Sequence, residues 1–173
     1  MIAPPKAARL WRKEEDTMSL IAARLQELAI TLPTPVAPVA NYAPYARIGQ
    51  ILILSGQLPI GLDGKLAPQH AGKLGPGSSP DAAREAARLC AINLIAQAKA
   101  ALGDLDLILR VARLGGFFSV AGSFDALPQV MNGASDLMVD VFGERGRHAR
   151  TTVGVAHLPL NALAEVEAMF EVA

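Results

Sequence analysis

A short stretch near the end of the chain narrows the choice of fold more than any other. From Ala164 to Val172 the sequence AEVEAMFEV sets Val166, Ala168, Phe170 and Val172 on one side and Glu165, Glu167 and Glu171 on the other. A two-residue period of this kind is that of a β-strand with one dry face and one wet face. The chain therefore builds a sheet that is covered from one side, and the next question is what covers it.

Two helices can be read with their ends. In the first, Ser79 is the N-cap, Pro80 the first helical residue, Asp81 and Glu85 sit near the positive end of the dipole, and Gly103 ends the element. Ala87, Ala91, Leu94, Ile95, Ala98 and Leu102 form its apolar stripe, and so many alanines imply close approach to a flat partner such as a sheet. Cys90 belongs in or near that packed face as a small hydrophobe. The second helix begins at about Asp125 and stops at Gly143. Leu127, Val130, Met131, Ala134, Leu137, Met138, Val141 and Phe142 recur at helical spacing, with Asn132, Ser135 and Asp136 off the stripe.

Around these helices the chain reads as strand. Ile51 to Leu54 is a short apolar run, and Asp63-Gly64 is a tight-turn signal expected to close a hairpin. Leu107 to Val120 is a strand with a bulge or bend expected at Gly115-Gly116. Thr151 to Leu158 and Ala164 to Val172 finish the chain. The order of hairpin, helix, strand, helix and two strands predicts an α+β fold, a mixed sheet of about six strands with both helices on one face. In a chain that is 51% hydrophobic, the uncovered face implies oligomerisation.

The beginning of the chain differs from the body. Residues 1–17 carry Lys6, Arg9, Arg12 and Lys13, followed by Glu14, Glu15 and Asp16, with no apolar core of a secretory signal. They read as a dispensable extension, and Met18 is a second candidate initiator because the periodic pattern starts just after it. Residues 18–39 are expected to hold a short helix, N-capped by Ser19 with Ile21, Leu25 and Leu28 at helical spacing, and then a proline-rich connector. Residues 40–173 form the main domain.

Composition removes several classes of function. Sixteen basic residues balance sixteen acidic ones, so no net field draws the protein to nucleic acid or to an anionic membrane. No apolar run spans a bilayer, and a cytoplasmic protein is expected. The single cysteine excludes an internal disulfide and a multi-cysteine zinc site. His70, His148 and His157 lack metal-ligand spacing, and there is no glycine loop of the nucleotide-binding kind and no GxSxG elbow. Neither a metal nor a cofactor is expected.

The dense basic cluster is ERGRHAR, residues 144–150. Arg145 and Arg147 read as a solvated loop. Arg150 enters a strand, where an arginine needs an anionic partner, either a structural carboxylate or a ligand carboxylate held in a bidentate pair. Glu165 and Glu167, on the polar face of the last strand, could share a face with Arg150.

Four passages, ANYAPYARIGQILILSGQLP (40–59), AARLCAINLIAQAKAALGDL (86–105), NGASDLMVDVFGERGRHARTTVGVAHLPL (132–160) and AEVEAMFEV (164–172), resemble the reactive-intermediate deaminase family. This is the RidA or YjgF group, often labelled L-PSP endoribonuclease. The resemblance spans about residues 40–173 and is nearest to a subgroup carrying NGAS and GRHAR. It implies a chorismate mutase-like fold and a homotrimer with three clefts between subunits, each built around an arginine. On that basis Arg150 binds a substrate carboxylate and Glu165 is the helping catalytic glutamate. Tyr42, with Tyr45 as its fallback, Ser55 and Gly56 line the cleft. Thr152 contributes backbone groups, and the helix asparagine falls on Asn132 or, with one residue of slippage, leaves the role to Ser135. Two positions depart from the family pattern: His148 stands where a small residue is usual, and Thr151 follows the arginine.

The activity implied is hydrolysis of 2-imino or 2-enamino acids to 2-oxo acids and ammonia. The alternative is a non-catalytic trimer that binds small carboxylates or acts as a regulator or chaperone. Ribonuclease activity ranks below both, because a balanced charge and the lack of an aromatic-plus-basic stripe oppose tight RNA binding.

Overall fold

The computed structural model describes residues 19–35, 41–76 and 78–173. The expected extension over residues 1–17, Met18, and the part of the connector over residues 36–40 lie outside the described residues. Helix α1 (Leu20–Glu27) is capped by Ser19, whose hydroxyl accepts from the Ala22 amide at 3.2 Å, and it buries Ile21 and Leu25. Asp106 ties this helix to the body by accepting from the Leu20 and Ile21 amides.

Strands β1 (Tyr45–Ile48) and β2 (Ile51–Gln57) pair antiparallel through a two-residue turn in which Gly49 has φ +58°. A left-handed residue matches the twist of a tight hairpin, which explains a glycine there. Helix α2 (Pro80–Leu102) has its expected ends, with the Ser79 hydroxyl accepting from the Asp81 amide and Gly103 at the C-cap. Strand β3 (Ile108–Ser119), helix α3 (Leu127–Phe142), strand β4 (Ala149–Val155) and strand β5 (Ala164–Val172) follow.

The sheet has five strands in the order β1-β2-β5-β3-β4; β3 and β4 run parallel and the other pairs antiparallel. This is the α+β architecture expected, with one strand fewer. The Asp63-Gly64 turn does form, but it closes a single bridge between Ile60 and Leu66 and no ladder. The Gly115-Gly116 bend is also absent. β3 runs straight through it, and its register shifts fall earlier, between Ile108 and Arg110 and between Val111 and Arg113. Those glycines serve packing instead, since a Cβ at Gly115 would meet Glu167 and one at Gly116 would meet Met131 of α3.

Val111, Leu114 and Phe118 of β3 and Val166, Phe170 and Val172 of β5 are completely buried beneath Ala87, Ala91, Leu94 and Ile95 of α2 and Val130, Met131 and Met138 of α3. The small side chains of α2 let it lie close to the sheet while it also packs along α3. Cys90 is buried there, its Sγ 3.7 Å from the Ala164 carbonyl, and burial, with Glu165 second, pushes its thiol well above the usual range. The opposite face carries Glu165, Glu167, Glu171, Arg110 and Arg113, and β4 forms one edge. Among the described residues no helix is long and apolar enough to cross a membrane.

Candidate functional site

The residues singled out in the sequence form two groups on opposite faces of the sheet. Arg150 pairs in register with Leu114, whose side chain is in the core, so Arg150 points to the helix-covered face at the β4 edge. There it meets α3. Its Nη1 donates to Asn132 Oδ1 at 2.8 Å and to Ser135 Oγ at 3.0 Å, and its Nη2 donates to the Pro128 carbonyl at 3.0 Å. Both candidates for the helix position, Asn132 and Ser135, therefore reach the arginine. Their spacing of one helical turn puts them side by side on the margin of the α3 stripe.

All three acceptors are neutral. Ion pairs among the described residues go to other arginines, among them Arg113 to Glu167 at 3.2 Å, Arg110 to Glu171 at 2.8 Å, Arg84 to Asp136 at 2.8 Å, and Arg147 to Glu144 at 3.0 Å. Arg147 is exposed as expected, whereas Arg145 is structural and donates to the Ile108 carbonyl at 3.0 Å. Thr152, two residues beyond Arg150 on the same face, is half-buried, and its hydroxyl has no partner among the described residues. Thr151 points to the other face, within 3.4 Å of Arg113.

The second group lies on the uncovered face. Glu165 alternates with Ala164 and Val166, which are in the core, and pairs in register with Phe117. The expectation that Glu165 and Glu167 share a face with Arg150 is thus corrected. β3 lies between β4 and β5, and the side chains leave the sheet in opposite directions. Glu165 is half-buried, and burial first, then the neighbouring Glu167, pushes its carboxyl above the usual range. Gly56, beside an irregularity in β2, makes room for it: a Cβ there would stand 2.0 Å from Glu165 Oε1. Ser55 donates to the Ala43 carbonyl at 2.8 Å, and its amide donates to the Pro44 carbonyl at 3.0 Å. It thereby fastens the segment that carries Tyr42, which is 53% exposed; Tyr45 is also exposed.

One contact escaped the sequence reading. His148 Nε2 lies 3.0 Å from Ser135 Oγ, and His148 Nδ1 lies 2.6 Å from the Gly146 carbonyl. The signal for it was the departure itself, a histidine two residues before the arginine. Burial pushes the imidazole below its usual range, and the Arg150 charge acts in the same direction against the Gly146 carbonyl.

The fold and the site together define a class, a mixed sheet covered by helices on one face that presents at its edge a guanidinium with only neutral partners among the described residues. The chain belongs to the family described as "YjgF/chorismate mutase-like, putative endoribonuclease", which it matches over residues 22–172. It is 46% identical to Protein TCP17 of Trypanosoma cruzi over 87% of this chain and 93% of that protein. The crystal structure of Atu1372 from Agrobacterium tumefaciens, a protein of unknown function, is 46% identical with a TM-score of 0.80, covering 88% of this chain and 92% of that one. A Shewanella oneidensis protein bearing the same endoribonuclease label is 38% identical with a TM-score of 0.83, covering 88% of this chain and 99% of that one.

Proposed function

We propose that the protein hydrolyses reactive 2-imino and 2-enamino acids to 2-oxo acids and ammonia, in clefts formed between the subunits of a homotrimer. The observation that carries this reading is the state of Arg150. Its guanidinium is fixed by three neutral oxygens, so its orientation is set while its charge is left unneutralised. A guanidinium has five N–H donors and these bonds use three, so Nε–H and one Nη2–H remain for a ligand carboxylate.

The two groups on opposite faces favour a shared site. Arg150 and Glu165 cannot meet within one chain, yet the edge of one subunit against the uncovered face of another would bring them together. Burial of that face would also remove Ile51, Val153 and other exposed apolar side chains from water.

The chemistry asks little of the protein. The imine carbon is already electrophilic, so no nucleophilic side chain is needed. Arg150 would hold the carboxylate and orient the carbon. Glu165 of a second copy, with its affinity for protons raised, would take a proton from the attacking water and pass it to nitrogen. Water oxygen bonds to carbon, the C–N bond breaks, both water protons end on ammonia, and the 2-oxo acid leaves. Tyr42, held by Ser55, and the backbone at Thr152 would complete the wall.

The test is ammonia and 2-oxo acid release from imines made in place by an amino-acid oxidase, with semicarbazide trapping what remains. Wild type should speed imine loss and Arg150→Ala should not, with a decrease of about a hundredfold or more expected for removing a charged orienting contact. No acceleration across small, branched and aromatic imines would overturn the deaminase reading. Carboxylate binding that persists without turnover would leave a non-catalytic binding protein.

A further inference from the structure

The hydrogen bonds that hold Arg150 continue beyond Ser135, and their direction is fixed at both ends. The Gly146 carbonyl can only accept, so His148 Nδ1 carries the proton and Nε2 of the neutral ring is an acceptor. Arg150 Nη1 can only donate. Ser135 therefore gives its proton to His148 Nε2 and turns its lone pairs to the guanidinium. The far end is rigid as well. A Cβ at Gly146 would stand 2.1 Å from the Met138 carbonyl, so the loop lies directly on α3.

We infer that His148 is a positioning residue for Arg150: in its neutral form it orients the Ser135 hydroxyl that helps aim the guanidinium, and on protonation it releases that hold, so that carboxylate binding weakens in acid. The inference rests on Arg150 being a carboxylate-binding residue.

On protonation Nε2 becomes a donor. Ser135 must then accept from both neighbours and point its own proton elsewhere, and a second cation stands one hydroxyl away from Arg150. Among the described residues no carboxylate near the ring is free to compensate. On its own segment Arg147 is paired with Glu144. From β3 and β5, Arg110 and Glu171 line the open groove beside His148 and are paired with each other. On α3, Asp136 next to Ser135 is taken by Arg84. The downward push on the imidazole from burial and from Arg150 agrees with this setting and favours the neutral ring.

Side-chain NMR on the full-length protein tests the inference without needing a substrate. The ring nitrogens of His148 should report the Nδ1–H tautomer, and the Arg150 Nε signal should move with the same midpoint as the ring. In His148→Gln the amide oxygen can still accept from Ser135 but does not titrate, so the Arg150 signal should stay flat. In Ser135→Ala the coupling should vanish while His148 still titrates. Pyruvate, ionised throughout, is the binding probe. The charge gained by the ring would by itself favour pyruvate, so an affinity that falls roughly threefold as the pH drops through the ring's own NMR midpoint in wild type, and changes less than about twofold in His148→Gln, reports the lost orientation. With turnover, the part of the acid loss that His148→Gln removes should appear in KM, while protonation of Glu165 lowers kcat in both proteins. An Arg150 signal indifferent to the ring's titration, or an equal loss of pyruvate affinity in wild type and His148→Gln, would overturn the inference. Coupled signals without pyruvate binding or turnover would uphold the positioning role and count against the deaminase reading instead.

Discussion

At Gly56 the smallest possible side chain is already too large, because its Cβ would fall 2.0 Å from Glu165 Oε1. The atom in the way is the end of a half-buried, flexible carboxylate, so the fold can yield by swinging Glu165 aside. Gly56→Ala should therefore change stability by less than about 1 kcal/mol in urea denaturation while imine turnover drops at least tenfold. A variant that unfolds early, or one that keeps full turnover, would show that Gly56 does not shape the setting of Glu165. Part of the residue scale was legible in the sequence. Arg150 stood out as the cation of a strand, and Asn132 and Ser135 as polar residues off the α3 stripe, but the sequence pointed to an anionic partner for the arginine and not to these neutral ones. The link from Ser135 to His148 was not legible. It joins a helix to a loop thirteen residues on, and no periodicity records which of two polar side chains turns toward the other.

At the scale of elements, helix α3 lies on α2 through a glycine. A Cβ at Gly133 would stand 1.9 Å from the Arg84 carbonyl, and here the obstacle is backbone inside a helix and cannot swing away. Gly133→Ala has to push the two helices apart, which should cost about 1–3 kcal/mol in chemical denaturation despite the better helix propensity of alanine. Because α3 also carries Asn132, Ser135 and the Pro128 carbonyl, pyruvate affinity should fall with it. Unchanged stability would mean that the helices are not in such tight contact. The same elements explain what the sequence could declare. α2 and β5 were readable end to end, because a capping serine, a terminal glycine and a strict two-residue alternation are local signals. β1 was not readable, since all four of its residues are exposed and no apolar period marks it. The expected sixth strand failed for the converse reason. A turn signal at Asp63-Gly64 specifies a reversal, but the chain on either side lacks an apolar face long enough to build a ladder.

For the molecule as a whole, the decisive feature is that the two groups proposed to act together lie apart in one chain, Arg150 at an edge over the helices and Glu165 on the bare face. A cleft shared between copies has a consequence that a cleft within one chain lacks. Arg150→Ala and Glu165→Gln should each abolish turnover as pure proteins, since every cleft of either one misses a group. In mixed oligomers some clefts receive Arg150 from a Glu165→Gln chain and Glu165 from an Arg150→Ala chain. For random assembly of an equal mixture that happens with a chance of one half at each position, so about a quarter of wild-type activity should return in the unfractionated mixture and about a third in the mixed trimers alone. Coexpression with two different affinity tags, followed by tandem purification, isolates the mixed species and allows the ratio to be counted. The double variant, mixed with wild type, controls for simple dilution, because its chains can contribute neither half. Recovery near a third in trimers that carry both tags would fix the active unit as an assembly. No recovery from mixed oligomers of confirmed composition would mean that the two halves do not meet across subunits, and the shared cleft would have to be given up.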